Sequence, residues 1–188
     1  NAHPEKNLGM PWQTPATMYH SWGWHANDFN WKPSKTLIKL LAQNSTLGGN
    51  YLLNVGPKPD GTFPLPAVKR LREIGGWTAA NGEAIYATIP VSAKPARGVR
   101  HTRRVLDNGT HRLYSHILDP LTDDKLILPV ESDTIISSKV LETSQPVKFK
   151  SIAGGTSFDL GSLMETETSI PVFYIDLKRL PDLYNEKN

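Results

Sequence analysis

The chain has 188 residues, with 21 Lys and Arg against 18 Asp and Glu, 6 His and no Cys. Since a domain comprises roughly 100–200 residues, this length predicts one large domain or two small ones. The lack of cysteine excludes a disulfide scaffold, a zinc–thiolate site and a thiol nucleophile. A formal net charge of +3 argues against nucleic-acid binding, and no apolar run approaches the ~18 residues that a membrane span needs.

The tryptophans are unevenly distributed along the chain. Four of the five lie within the first 31 residues, and the fifth, Trp77, also precedes the midpoint. Residues 1–33 are otherwise irregular and rich in Pro, Gly and His, with residues 11–16 as the candidate strand among them. The two halves of the chain are therefore built differently.

Residues 34–80 have the pattern of a helix, a buried strand, a loop and a second helix. Apolar residues at helical spacing predict helices at about residues 35–45 and 65–80, and Ser34 is a candidate N-cap of the first. The nearly continuous apolar run at 50–55 is typical of a strand buried on both faces. This order predicts an α/β unit with parallel strands.

The pattern changes after about residue 90, where Pro90, Pro95 and Gly98 indicate a linker. The Asn-Gly pair at 108–109 lies between two β-rich runs and predicts a hairpin. Further short strands are predicted, and together they favour an antiparallel sandwich. The predicted strands are residues 99–106, 110–118, 125–129, 134–141, 147–152, 157–160 and 172–177. The domain boundary is predicted near residues 90–95.

Several motifs in the first half resemble one enzyme family. They are Gly-Gly-Asn-Tyr-Leu-Leu-Asn-Val-Gly-Pro at 48–57, Pro-Asp-Gly at 59–61, Ile-Gly-Gly-Trp at 74–77, Asn-Gly-Glu-Ala-Ile-Tyr-Ala-Thr at 81–88, Pro-Trp-Gln-Thr at 11–14 and Ser-Trp-Gly-Trp at 21–24. Taken in their order along the chain, these motifs resemble glycoside hydrolase family 29, the retaining α-L-fucosidases. The resemblance is close over residues 11–90 and looser in the β-rich tail.

The resemblance implies a fold that is α/β followed by all-β. Residues 1–90 would form the C-terminal strands and helices of a TIM-like (β/α) barrel, and residues 91–188 would form a small antiparallel β-sandwich. The rest of the barrel is expected in an N-terminal segment that precedes Asn1. Active sites of such barrels lie on loops at the C-terminal ends of the strands.

Aromatic side chains are the predicted substrate contacts, because rings pack against the apolar face of a sugar and the methyl group of fucose. We predict that Trp22 contacts fucose, with Trp12 and Trp24 as further candidates. The alternative for all three is an aromatic role in the barrel core. Gln13 is also a substrate-binding candidate, since many relatives carry Glu in the corresponding Trp-Glu-Thr element.

The catalytic residues are only partly represented in this chain. A retaining glycosidase needs a nucleophile and an acid/base, and the resemblance places the nucleophilic Asp on an earlier strand, outside these residues. Glu5 is the candidate acid/base, with a residue just upstream of Asn1 as the alternative. The Gln13 amide cannot act as a general acid, so this position is non-catalytic, a natural departure from the family or an engineered Glu→Gln substitution.

The resemblance implies retaining hydrolysis of terminal α-L-fucosyl linkages, without a metal or organic cofactor. The expected partners are a fucosylated oligosaccharide or glycoconjugate and the N-terminal barrel segment, with no nucleic acid and no membrane. The expected location is secreted, periplasmic or lysosomal. Two alternatives stay open: a non-catalytic glycan-binding or structural module on the same scaffold, and a related glycosidase for another deoxy-sugar.

Overall fold

A computed structural model describes residues 4, 7–91, 98–161 and 169–184. The first half contains β1 (Trp12–Thr17), α1 (Ser34–Thr46), β2 (Gly49–Asn54) and α2 (Leu65–Asn81), followed by a short 3-10 helix (Gly82–Ala84). Strands β1 and β2 pair in parallel, from Trp12 opposite Gly49 to Thr17 opposite Asn54. Parallel strands joined through a helix form an α/β unit, as the sequence predicts.

Helix α1 begins after a proline and ends shortly before a glycine. Its N-cap is Pro33, and the Ser34 hydroxyl donates to the Glu73 carboxylate of α2 instead of capping the helix. The prediction of Ser34 as the N-cap is therefore wrong. At the other end Gly48 has a φ of +76°, a left-handed conformation that glycine adopts without strain, and its N–H donates to the Ser45 carbonyl.

The second half is antiparallel throughout its described strands. These are β3 (Ile89–Pro90), β4 (Val99–Val105), β5 (His111–Ile117), β6 (Lys125–Leu128), β7 (Ile135–Val140), β8 (Lys148–Ile152), β9 (Gly155–Asp159) and β10 (Val172–Leu177). A five-stranded sheet has the order β3-β4-β5-β10-β7, and a three-stranded sheet has the order β6-β9-β8. Seven of these strands match predicted ones, and the Asn-Gly hairpin is confirmed.

The two antiparallel sheets form a sandwich around one apolar core. Leu113 and Phe173 of the larger sheet and Leu126 and Phe158 of the smaller sheet are fully buried members of this core. The rings of Phe158 and Phe173 are 5.7 Å apart, which joins the two sheets directly. The predicted antiparallel sandwich is thus confirmed.

Helices α1 and α2 lie between the sandwich and the parallel strands. Side chains alternate along a strand, so the residues of β5 and β10 that do not face the sandwich core face the helices. Tyr114, Val172 and Tyr174 accordingly pack in one buried cluster with Ile38 and Trp77. The helices therefore bury one side against the sandwich.

The other side of the helices packs against the parallel strands. Met18, Tyr19 and Leu37 are buried in a cluster that Leu53 also joins. The opposite face of the β1–β2 sheet carries Gln13, Pro15, Asn50 and Leu52, which are all exposed. This small sheet is therefore covered on one face by the helices and open on the other.

An ionic cluster connects the end of α2 to the larger sheet. Arg112 on β5 donates to both carboxylate oxygens of Asp176 on β10, at 2.7 and 2.9 Å, and to Glu83 at 2.8 Å. The Arg112 guanidinium also stacks 3.9 Å from the centre of the Tyr174 ring. The Tyr114 hydroxyl completes the link by donating to Glu83 at 2.5 Å.

A pair of buried histidines lies in the same sheet. His101 on β4 and His116 on β5 are almost fully buried. The His101 ring is 3.0 Å from the Ser115 hydroxyl, and Nε2 of His116 is 3.2 Å from the Thr102 hydroxyl. Burial lowers the pKa of His101 to about 4 and that of His116 to about 3, with the neighbouring His101 adding to the effect on His116. Both rings are therefore neutral at pH 7.

Candidate functional site

The carboxyl ends of β1 and β2 lie at the same edge of the parallel sheet, where α/β folds bind their ligands. Strand β1 continues into residues 18–32, here called the Trp22 loop, which carry Trp22 and Trp24. Strand β2 continues into residues 55–63. These two segments form the candidate functional site.

Lys32 fixes the base of the Trp22 loop. Its ammonium group donates to the carbonyl oxygens of Thr17 at 2.7 Å and Tyr19 at 3.2 Å. Burial lowers the pKa of Lys32, although the charge of Asp28 acts in the opposite direction. The loop is thus closed at its base, because its last residue is bonded to the end of β1.

Trp31 attaches the same loop to helix α2. Its ring lies 4.4 Å from the Tyr19 ring and 5.2 Å from the Arg70 guanidinium, in a cation–π geometry. The Arg70 Nε group also donates to the Lys32 carbonyl at 2.6 Å. The end of the loop is therefore held by a helix that is itself packed against the sandwich.

The last residue of β2 and the segment that follows it contact the Trp22 loop directly. The side-chain amide of Asn54 donates to the Trp22 carbonyl oxygen at 2.6 Å. Gly56 is buried, and a Cβ atom at this position would overlap the Tyr19 hydroxyl and lie 2.7 Å from the backbone nitrogen of Trp24. Glycine permits this close approach, so the two loops form one surface.

Asp28 organises the first half of the Trp22 loop. Its Oδ2 accepts the backbone N–H groups of His20 at 3.1 Å and Ser21 at 3.2 Å, and its Oδ1 accepts the N–H of Asn30 at 3.1 Å. Desolvation raises the pKa of Asp28, but these hydrogen bonds outweigh it and the pKa is lowered. Asp28 is therefore an ionised acceptor and is unsuited to donate a proton.

The structure brings two of the predicted site residues together and separates Trp12 from them. Trp22 and Trp24 lie in one loop, with 56% and 38% of their surfaces exposed. Trp12 lies at the opposite end of β1, where its indole N–H donates to the Leu47 carbonyl at 3.2 Å and its ring covers Gly49. The structure thus places Trp12 in packing contacts remote from the carboxyl edge.

Of the two remaining predicted site residues, the structure describes Gln13 but not Glu5. Gln13 is exposed on the open face of the parallel sheet, opposite Asn50 of β2. Glu5, the predicted acid/base, lies outside the residues that the structure describes. The other carboxylate in the loops is Asp60, and hydrogen bonds from the Thr62 hydroxyl and N–H lower its pKa. Neither Asp28 nor Asp60 thus has the raised pKa of a general acid.

The sequence patterns did not identify the residues that shape the site. Asp28, Lys32 and Arg70 hold the Trp22 loop, yet none belongs to a motif quoted for the family. One local signal was present, since an Asp side chain can accept the backbone N–H two residues later in an Asx turn, as Asp28 does from Asn30. The contacts of Lys32 and Arg70 depend on tertiary packing and have no comparable signal.

Two features are absent from the part of the chain that the structure describes. Within it, no group of three or more His, Asp or Glu side chains is arranged to hold a metal ion. No helix in those described ranges combines the length and the apolar character needed to cross a bilayer.

The first half of the chain, with its parallel α/β unit and the Trp22 loop, is similar to known glycoside hydrolases. The family model described as alpha-L-fucosidase matches residues 1–83. An alpha-L-fucosidase of Branchiostoma floridae is 32% identical over 140 residues, which cover 71% of this chain and 30% of that protein. The plasma alpha-L-fucosidase of Homo sapiens is 41% identical over 89 residues, 46% of this chain and 19% of that protein.

Solved structures extend the similarity to the second half. Alpha-L-fucosidase isoenzyme 1 from Paenibacillus thiaminolyticus has the same fold, with a TM-score of 0.82 at 24% identity, over 94% of this chain and 43% of that chain. The Thermotoga maritima alpha-fucosidase in complex with fucose has a TM-score of 0.73 at 27% identity, over 89% of this chain and 40% of that chain. The resemblance to glycoside hydrolase family 29 is thereby confirmed, and the similar part is the C-terminal region of those enzymes.

Proposed function

We propose that this chain is part of an α-L-fucosidase that hydrolyses terminal α-L-fucosyl linkages of glycans with retention of configuration. The observation that carries the proposal is the Trp22 loop at the carboxyl edge of a parallel sheet. Its support is the similarity to a Thermotoga maritima enzyme whose structure contains fucose. The chain spans about 30% of the length of the Branchiostoma relative. We therefore propose the activity for a longer polypeptide that includes this chain.

Residues 1–90 would contribute the last strands and helices of a (β/α) barrel, and residues 91–188 the sandwich. The open face of the β1–β2 sheet supports this assignment, because it exposes Leu52 beside Gln13 and Asn50. In a barrel this face points inward and is filled by side chains from other strands. The helices on the other face of the sheet would then form part of the outer ring.

The chemistry would be shared between this chain and the remainder of the barrel. A carboxylate attacks the anomeric carbon while a carboxylic acid protonates the leaving oxygen, and water then releases the sugar from the covalent intermediate. The nucleophilic Asp would come from an earlier barrel strand, and Glu5 remains our candidate acid/base. No metal or organic cofactor takes part in this scheme.

Trp22 would provide the aromatic wall of the fucose site, with Trp24 beside it. The exposed Trp22 ring, carried on a backbone that is hydrogen-bonded to Asn54, supports this role. Trp12 and Gln13 would act at a distance from the sugar, since Trp12 covers Gly49 and the exposed Gln13 would face the interior of the proposed barrel. The natural ligand would be a fucosylated oligosaccharide or glycoconjugate in a secreted, periplasmic or lysosomal compartment.

A non-catalytic fucose-binding module is the second candidate function. It is favoured by the carboxylates of the site, since Asp28 and Asp60 both accept hydrogen bonds that lower their pKa values. Fucose binding without turnover by the polypeptide that carries the whole barrel would support this alternative. Turnover of an aryl α-L-fucoside by that polypeptide, and none by residues 1–188 alone, would support the enzyme.

Replacing Trp22 by alanine tests the proposed aromatic wall. We expect KM for an aryl α-L-fucoside to rise about tenfold or more, because the sugar loses an aromatic packing partner, while the thermal unfolding midpoint stays unchanged. Phe29→Ala is the matched control, since Phe29 is a 79% exposed aromatic of the same loop. Equal effects of the two substitutions would contradict a specific role for Trp22.

A further inference from the structure

The backbone that precedes Trp22 is fixed by a single carboxylate. Oδ2 of Asp28 accepts the N–H groups of His20 at 3.1 Å and Ser21 at 3.2 Å, and the Ser21 hydroxyl oxygen lies 3.3 Å from the same atom. Hydrogen bonds to a charged acceptor are stronger than those between neutral groups. The two hydrogen bonds join residues that are eight and seven positions apart, so they hold the backbone of residues 20–21 against Asp28.

The backbone that follows Trp22 is fixed by hydroxyl groups. The Gly23 carbonyl accepts the Ser21 hydroxyl at 2.8 Å and the Tyr19 hydroxyl at 3.1 Å. The Trp22 carbonyl itself accepts the Asn54 amide. Ser21 links the two sides of Trp22, because its N–H donates to Asp28 and its hydroxyl donates to Gly23, the nearer of its two acceptors.

The contrast between backbone and side chain at Trp22 is the informative feature. Polar contacts hold the peptide groups on both sides of this residue, yet more than half of its surface is exposed. The backbone that carries this ring does not have to be ordered when a ligand arrives, so binding to the ring carries a smaller entropic cost. The arrangement is that of a preorganised contact surface.

We propose that Asp28 is a positioning residue of the fucose site and acts through Trp22. Its carboxylate sets the backbone conformation at 20–21 that presents the Trp22 ring to the sugar. This inference rests on the proposed function, because it assigns Asp28 a role in the site where fucose would bind. It goes beyond that function in naming the residue that orders the aromatic wall.

A double-mutant cycle in the polypeptide that carries the whole barrel tests this inference. Asp28→Asn keeps the size of the side chain but loses its charge and one acceptor oxygen, and Asp28→Ala loses both oxygens. We expect KM for an aryl α-L-fucoside to rise about fivefold for Asp28→Asn and further for Asp28→Ala, with kcat changed less than about twofold. With Trp22→Ala already present, Asp28→Asn should change KM by less than about twofold, because its effect passes through the missing ring.

Asp159→Asn is the matched control for the cycle. Asp159 lies at the end of β9 in the sandwich and accepts the Gly161 N–H at 3.3 Å, which is the same kind of turn without a tryptophan in it. We expect its KM to equal that of the parent. Quenching of tryptophan fluorescence by acrylamide should increase in Asp28→Ala and stay at the parent level in Asp159→Asn, since only the former frees the Trp22 loop.

The outcomes separate this inference from the proposed function. If the parent turns over the fucoside and the effects of Asp28→Asn and Trp22→Ala on KM are additive, the positioning role is wrong and the function stands. If the parent binds fucose without turnover, the same cycle is measured on Kd and decides the inference in the same way. If the parent neither binds nor hydrolyses, the proposed function and the inference are both wrong.

Discussion

Replacing Arg112 by methionine will lower the free energy of unfolding by about 2–3 kcal/mol. Arg112 is held between Asp176 on the neighbouring strand and Glu83 after α2, and its side chain is only 17% exposed. Methionine fills much of the same volume but leaves the 11% exposed Asp176 carboxylate without its cation. Removal of one partner from a buried ion pair costs about 3–5 kcal/mol, and the partial exposure here reduces that figure.

Urea denaturation of the variant and the parent at the same pH measures this effect. Arg112→Lys should fall between them, because lysine keeps the charge but cannot bond both Asp176 oxygens in parallel. Lys69→Met is the control, since Lys69 and Glu73 form an exposed pair on α2 whose loss costs below about 0.5 kcal/mol. An Arg112→Met variant no less stable than Lys69→Met would show that the cluster does not hold the sheet to the helices.

Acidification is expected to lower the free energy of unfolding by a similar amount, because two histidines are buried in their neutral form. The folded-state pKa values of His101, about 4, and His116, about 3, both lie below the ordinary value of 6.5. The unfolded chain therefore binds protons that the folded chain excludes once the pH falls below 6.5. Stability is fully present above that pH and is lost as the pH falls towards 4, by about 3–4 kcal/mol between pH 7 and pH 5.

The hydrogen bonds around His116 explain why its ring stays neutral. The Thr102 hydroxyl donates to the Ala84 carbonyl at 2.7 Å, so its oxygen is left to accept from Nε2 of His116. The proton of the neutral ring therefore lies on Nε2. Nδ1 meets no hydrogen-bond partner in the described part of the chain, and protonation there would bury an unsatisfied N–H group.

Denaturant unfolding at pH 7, 6 and 5 measures the loss. His116→Leu should flatten the pH dependence by about half, because one of the two titrating groups is removed. Phe29→Leu is the control, since Phe29 is an exposed side chain of the Trp22 loop that does not titrate, and its replacement should leave the dependence unchanged. An equal free energy of unfolding at pH 7 and pH 5 in the parent would contradict the role of the pair.

Local sequence patterns predicted most of the secondary structure but not its assembly. The hairpin at 108–109 and helix α2 depend on neighbouring residues, so turn chemistry and periodicity were sufficient. The position of β10 between β5 and β7 was not predictable, because it brings together residues 64 positions apart, as Arg112 and Asp176 show. The short strand β3 was missed because two residues carry no periodic signal.

The candidate site was predictable only where aromatic residues mark it. Trp22 and Trp24 were candidates because aromatic rings pack against sugars, and the structure places both in one loop with exposed surfaces. Trp12 also lies in the tryptophan-rich first part of the chain, but at the other end of β1. Only the tertiary structure distinguishes its packing role from the exposed position of Trp22 and Trp24. The contacts made by Asp28 and Lys32 join backbone atoms, which a sequence pattern does not describe.

The apolar cluster between the helices and the larger sheet affects how this protein can evolve. Ile38 and Trp77 have no solvent-facing role, and the indole N–H of Trp77 donates to the Ile170 carbonyl across the junction at 2.8 Å. A recombination that exchanged everything after about residue 90 for an unrelated sandwich would expose this surface and leave that donor unpaired. A new sandwich would therefore need a surface that fits the helices, and a change at Trp77 would call for compensating changes near Tyr114 and Val172.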